Sequence, residues 1–426
     1  MALERREVDL IVTHAAELVT ATGRSTRPAS GREQGDISVI PDGAIAIQQG
    51  MIVHVGRSSE VVSQYRSRRV IDATGKVALP GLVDPHTHLV FAGSREKEFE
   101  MKLAGKTYME ILAAGGGILS TVAETRKIGK RRLTEICHAR AQSLLLHGTT
   151  TIEIKSGYGL STEEEIKCLE VANSLEKAGP FHVVPTFLGA HAIPLEYQGR
   201  NDEYVNLVIE DMIPIVAKSK LARFCDVFCE CGVFTADQTR RILEAAGEAG
   251  LGMKIHADEF TDTGGALLAT EIGATSADHL LCSSDEGLKE MARRRIVGVL
   301  LPAAPLTLMM NRYPKARKMI EYGVPIALGT DLSPSCMLES QQMSVALACY
   351  CMRMTPAEAI VATTINAAHA IGEAGRTGSL EPRKKADIVI MNIPNHRFLG
   401  YKFGVNLVQT VIKDGEVVVE DQRLVT

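Results

Sequence analysis

The sequence predicts an α/β fold: a (β/α)8 TIM barrel carrying a small β-sandwich domain formed by both chain ends. Three observations predict it. Eight short apolar runs rich in β-formers alternate with longer helical patterns through the middle of the chain, strand patterns punctuated by turns return at both ends, and several of the eight runs finish in histidine or aspartate.

Over the first 80 residues the strand-like runs are Asp9 to Thr13, Gly43 to Gln48, Met51 to Val55 and Val70 to Ile71, with turns at Pro41, Gly43, Gly50 and Gly75. The last 40 residues return to this pattern, with Ala386 to Met391, then Leu407 to Ile412, a tight Lys413, Asp414, Gly415 turn, and Val417 to Val419. Residues 1–80 and 375–426 are therefore expected to form one composite β domain, with the barrel at 81–374. The barrel runs are Ala78 to Val83, Thr149 to Ile154, His182 to Leu188, Asp226 to Cys229, Gly252 to Ile255, Ser276 to His279, Gly298 to Leu301 and Pro325 to Leu328. A doubly wound open sheet is the rival, but no glycine-rich phosphate fingerprint follows the first strand. Gly115, Gly116 and Gly117 follow a helical stretch and read as a loop or hinge.

Composition narrows the function. At 426 residues, with 45% hydrophobic and 23% charged residues, the chain has the profile of a folded soluble protein large enough to enclose a site. A net charge of −4 without a long basic run attracts neither nucleic acid nor an anionic membrane. The clusters Arg66, Arg68, Arg69 and Lys130, Arg131, Arg132 read as solvated faces. The acidic opening (Glu4, Glu7, Asp9) has no apolar stretch of secretory length, and no run of about 18 apolar residues is present, so a cytoplasmic protein is expected. Nine cysteines suit a reducing compartment; Cys225, Cys229 and Cys231, in or beside the apolar run Phe224 to Phe228, read as buried free thiols.

The segment Pro80, Gly81, Leu82, Val83, Asp84, Pro85, His86, Thr87, His88 carries the decisive chemistry. Residues two apart on a strand point to one side, so His86 and His88 can offer two imidazole nitrogens to one ion at the barrel axis. The fifth run closes in Lys254, Ile255, His256, Ala257, Asp258, Glu259, the sixth in Ala277, Asp278, His279, and the eighth in Leu328, Gly329, Thr330, Asp331. Barrel geometry makes such strand ends converge. Three imidazoles and a carboxylate suit Zn²⁺, with Fe or Mn as alternatives.

With these residues in place, the sequence resembles the amidohydrolase superfamily, and within it the branch acting in histidine degradation. The specific portions are Gly81 to His88; Ala92 to Arg95; Glu98 to Gly117 with Met101 to Gly105; Glu153 to Leu160; Leu188 to His191; and His256 to Phe260. The resemblance implies hydrolysis of 4-imidazolone-5-propanoate to N-formimino-L-glutamate, with one metal ion per subunit, Zn or alternatively Fe, on His86, His88, His256 and Asp331. Two-metal members usually use a carboxylated lysine at the fourth strand end; the run Asp226, Val227, Phe228, Cys229, Glu230 has none. Lys155 and Lys254 read as supports for fold or substrate. Expected catalytic groups are Asp331, which orients the water and takes its proton, His279, which polarises the carbonyl, and Glu259, which carries a proton to the leaving nitrogen. Arg95 would pair with the propanoate, and Tyr158 and His191 would complete the pocket.

One departure stands out: where the family usually has Asn and Gly contacting the glutamate-like product, this chain has Ser333 and Ser335, followed by Cys336. A related deaminase or cyclic-amidine hydrolase is the alternative activity, and a non-catalytic binding barrel a further one. The expected partner is a small molecule, with no nucleic acid or membrane, in a homodimer as the resemblance implies.

Overall fold

Eight runs of β-branched and other apolar residues pair in chain order into one parallel sheet. They are β1 (Leu82–Asp84), β2 (Thr149–Lys155), β3 (His182–Ala190), β4 (Phe224–Cys229), β5 (Gly252–Ala257), β6 (Ser276–His279), β7 (Val297–Leu300) and β8 (Ile326–Leu328). The structure, a computed structural model, describes residues 5–106, 110–111 and 114–425. Glu4 and part of the stretch Glu98 to Gly117 (residues 107–109, 112 and 113) lie outside the described residues.

Crossover helices cover the sheet and follow from local signals. In Ala236–Glu248, Thr235 caps the first turn by accepting from the Gln238 N–H, and Thr239, Ile242, Leu243 and Ala246 form the buried stripe at helical spacing. In Asp285–Arg294, Ser284 caps the start, acidic Asp285 and Glu286 fill the first turn, and Arg293 and Arg294 fill the last, matching the helix dipole. The cylinder closes just beyond the regular strands. Thr87 and Leu332 form a parallel bridge, with the Asp331 N–H on His86 O at 3.2 Å and the His88 N–H on Leu332 O at 2.8 Å.

A second sheet of nine strands combines both chain ends. Its join is Val77–Pro80 running antiparallel to Ile388–Met391. The long strand Leu10–Val19 divides it, pairing first with Val70–Asp72 and, past a bulge, with Val77–Pro80. Period-two alternation separates the faces. Ala78, Ile388 and Ile390 join Leu10, Val12, Ile45 and Ile47 in a cluster between the sheet's two halves, while Val77, Leu79, Val389 and Met391 pack into the barrel's core.

Three expectations need correction. Pro41 and Gly43 mark no turn, since they pair with Glu17 and Ala15 inside the strand Val39–Gln48. The run Ala78 to Val83 is not one strand, because the chain passes from one sheet to the other at Gly81, whose N–H binds Asp387 O at 2.8 Å while the next, Leu82, binds Gly148 O at 3.0 Å. Among the cysteines, Cys225 and Cys229 are buried as expected, but Cys231 is exposed, since it falls beyond the strand in the following turn. All nine cysteines are free thiols. The six residues of the two basic clusters are exposed. Among the described residues, no helix is long and apolar enough to cross a membrane.

At the crossing point a Cβ on Gly81 would stand 2.3 Å from Thr150 Oγ1. Gly81→Ala is therefore expected to lower stability by about 1–3 kcal/mol, seen as a lower urea midpoint at unchanged slope. An unmoved midpoint would show that Thr150 turns aside without cost.

Candidate metal centre and active site

Strand alternation sends Glu153 and Lys155 (β2), Asp226 (β4), Lys254 and His256 (β5) and Asp278 (β6) into the barrel. His86 and His88 enter from the segment after β1 and Asp331 from the segment after β8. The sequence placed His86, His88, His256 and Asp331 at strand ends, and the structure brings these four together. His88 Nε2 lies 3.3 Å from His86 Nε2 and 3.2 Å from His256 Nε2, and Asp331 Oδ1 lies 3.7 Å from His86 Nε2 and 3.6 Å from His88 Nε2.

The other ring nitrogens explain the orientation. His86 Nδ1 meets Asp278 Oδ2 at 2.6 Å and His256 Nδ1 meets Asp226 Oδ1 at 3.0 Å, so each ring gives its Nδ1 proton to a carboxylate and turns a lone pair inward. Burial, then Lys155 and the neighbouring imidazoles, push His86 well below its ordinary range; burial, then His191 and His256, do the same for His88. Imidazole Nε2 atoms facing one another at 3.2 and 3.3 Å, those of His86 and His256 turned inward by their carboxylate partners, call for a cation between them. Four donors about 2.1 Å from a tetrahedral ion stand about 3.4 Å apart, so these residues fit a metal of zinc's size. His279 is also within reach, grouping with His86 and His256 as a second possible ligand set.

Beneath the imidazoles lies a wholly buried ionic cluster. Lys155 Nζ is 2.8 Å from both Glu153 Oε1 and Asp226 Oδ2 and 3.7 Å from Asp278 Oδ2. Burial disfavours the Lys155 ammonium, but Asp226, Glu153 and Asp278 more than offset it and hold its pKa above the ordinary range. Lys254 Nζ donates to Pro85 O at 3.0 Å, tying β5 to the His86 segment. Sequence reading left the two lysines as general supports and missed Asp226 and Asp278 as partners of the histidines. The available signal, for Asp226, was a carboxylate within an otherwise apolar strand.

The cavity above is lined by His88, His256, His279 and Asp331 at its floor and by Arg95, Tyr158, His191, Glu259, Ser333 and Ser335 around it. The His191 ring stacks on His88, centroids 4.9 Å apart, and meets Tyr158 edge-on. Both depend on the loop after β2. The buried Glu165 carboxylate accepts the N–H groups of Gly157 at 3.0 Å, Gly159 at 2.7 Å and Leu160 at 2.8 Å, and Gly157 O binds His191 Nδ1 at 3.0 Å. Gly159 has to be glycine, since a Cβ there would meet the Glu164 backbone at 2.4 Å. Glu259 Oε1 lies 3.7 Å from His279 Nδ1, and its loop is held by Glu230, which accepts the Phe260 N–H at 2.8 Å. Burial, then Asp331 and Glu230, raise the Glu259 carboxyl well above its usual pKa; burial pushes that of Asp331 up to about 7. Arg95 binds Thr121 Oγ1 through Nε at 3.0 Å, while its buried Nη2 has no partner among the described residues. Cys336, expected among the substrate contacts, does not line the cavity. Its thiol reaches Thr330 O and packs with Ala303 and Leu347, because a tight turn at Ser333–Cys336 directs it inward.

Comparison with known proteins agrees with this architecture. A model of the amidohydrolase family matches residues 77–418. An imidazolonepropionase from Geobacillus kaustophilus (strain HTA426) is 53% identical over 420 residues, covering 97% of this chain and 99% of that protein. One from Alkaliphilus metalliredigens (strain QYMF) is 49% identical, covering 98% and 100%. Among solved structures, an adenosine deaminase from Xanthomonas campestris with bound zinc has a TM-score of 0.71 at 19% identity, covering 99% of this chain and 95% of that one, a likeness of fold. Together with the donor set, the family match supports a metal cofactor.

Asp278→Asn removes the carboxylate that fixes the His86 tautomer. It is expected to weaken zinc binding by about 10–100-fold, measured by competition with a chelator of known affinity. Wild-type affinity in this variant would detach Asp278 from the centre.

Proposed function

Because the chain belongs to the amidohydrolase family, we propose that it hydrolyses the cyclic amide of 4-imidazolone-5-propanoate to N-formimino-L-glutamate, a step of histidine catabolism. Likeness over nearly the full chain to imidazolonepropionases supports the substrate. The convergence of His86, His88, His256 and Asp331 at one mouth of the barrel is the observation that carries the chemistry.

These four residues would hold one metal ion per subunit, zinc by their donor chemistry, with iron as the alternative. A divalent cation there supplies Lewis acidity, which acidifies water and polarises a carbonyl. Asp331 orients the attacking water and accepts its proton. His279, on the cavity floor beside Glu259, donates to the ring oxygen as charge builds on it. Water's oxygen adds to the carbonyl carbon, the carbon–nitrogen bond breaks, and the leaving nitrogen takes a proton. Glu259 is suited to deliver it, since burial and the nearby Asp331 and Glu230 favour its protonated form. Arg95 pairs with the propanoate through its unpartnered Nη2, Tyr158 and His191 close the pocket, and Ser333 and Ser335 offer hydroxyls to the product. The free thiols support a reducing compartment, the cytoplasm, and the resemblance to the family supports a homodimer.

Metal-loaded protein mixed with freshly generated imidazolonepropanoate is expected to yield formiminoglutamate by mass spectrometry; substrate decay no faster than in buffer would reject the activity. Glu259→Gln is expected to retain the metal and lose about 10²–10⁴-fold in kcat. A variant with near wild-type turnover would remove Glu259 from the proton path.

A further inference from the structure

Arg95 immediately precedes the helix Glu96–Leu103, and Glu98 and Lys102 follow at the spacing that puts them on one face; all three line the catalytic cavity. Their charges are unequally committed. Glu98 Oε1 accepts the Gly117 N–H at 2.8 Å and lies 3.7 Å from Arg95 Nε, so it is spent on the loop and on one edge of the guanidinium. Arg95 Nη2 is left buried without a partner among the described residues. Half-buried Lys102 makes only a 3.4 Å contact from Nζ to Thr307 O across the cavity, with no carboxylate within ion-pair distance among the described residues. Two under-satisfied cations thus stand on one helix in the lining of a cavity that also holds Asp331 and Glu259.

We propose that Lys102 is a specificity-determining residue: its ammonium, together with the Arg95 guanidinium, brackets the substrate's tail carboxylate and selects anionic over neutral tails. This deepens the reading of the site given above and rests on it. A planar guanidinium gives directional, paired hydrogen bonds, and a mobile ammonium adds a point charge beside them. The position of Lys102 fits that task. A neighbouring apolar cavity, walled by Phe99, Leu306 and Met337, shares Arg95, Lys102, Thr307 and Ser335 with the catalytic one. Lys102 therefore stands at the boundary, where the tail of a ring seated on the floor would lie. A neutral tail meeting these two donors leaves them without a counter-charge in a partly dry site, and that penalty is the source of selection.

The test compares kcat/KM for imidazolonepropanoate and for its propanamide analogue, which has the same ring and a neutral tail. Lys102→Met is expected to lower kcat/KM for the acid at least tenfold, through KM, while leaving the amide within twofold; Lys102→Arg should recover most of the loss. Equal losses on both substrates, or no loss on either, overturn the proposal. Calorimetric binding of imidazole-4-propanoate, a stable mimic of ring and tail, to the same folded variants gives a readout independent of turnover. If wild type opened neither substrate the proposed activity would fail, whereas Lys102 would still be judged by whether Lys102→Met weakens this mimic at least tenfold. Unchanged affinity overturns the role of Lys102 in either case.

Discussion

The interaction on which the structure depends is the dry ionic cluster in the barrel interior. Lys155 and Lys254 face Glu153, Asp226 and Asp278, all with fully buried side chains. Buried charges recover their lost hydration only when each is paired with good geometry. Here pairing also fixes the imidazoles, since Asp226 and Asp278 each spend an oxygen on a histidine Nδ1. By formal charge, two lysines against these three carboxylates and Asp331 leave two negative charges, the complement of a divalent cation. The cluster and the donor set above it form one electrostatic unit, and neither half is balanced alone.

The loops around the cavity use a related device. Glu165 gathers the backbone N–H groups of the loop after β2, Glu230 those of the loop carrying Glu259, and Asp258 accepts from the Gly265 and Ala266 N–H groups at 2.9 and 3.1 Å. Loop backbone near a binding site is costly to bury because its donors lose water. An inward carboxylate satisfies several of them at once and removes the loop's freedom. The same ends of the strands hold non-glycine residues in left-handed conformations, Asp258 at φ 53°, His279 at 75° and Asp331 at 55°. Such backbone costs energy unless its surroundings determine it, and here the closing seam and the carboxylate anchors do so.

What the sequence disclosed follows from range of interaction. Strand alternation and turn residues are local, so all eight barrel runs and most of the second sheet were legible. The passage between sheets at Gly81 was not, because the clash that demands glycine comes from Thr150, far along the chain. His86, His88, His256 and Asp331 announced themselves by residue type at strand ends. Asp226 and Asp278 did not, because the histidines they hold lie on other segments far along the chain. Cys231 and Cys336 depended on turn geometry, which composition alone does not fix.

The barrel's final seam uses the backbone on either side of the site: His86 O and His88 N bond the chain at Asp331 and Leu332. A cylinder zipped shut by the segments that carry its converging side chains has no separate latch. Breathing of its last two staves and parting of the side chains they carry become one cooperative event.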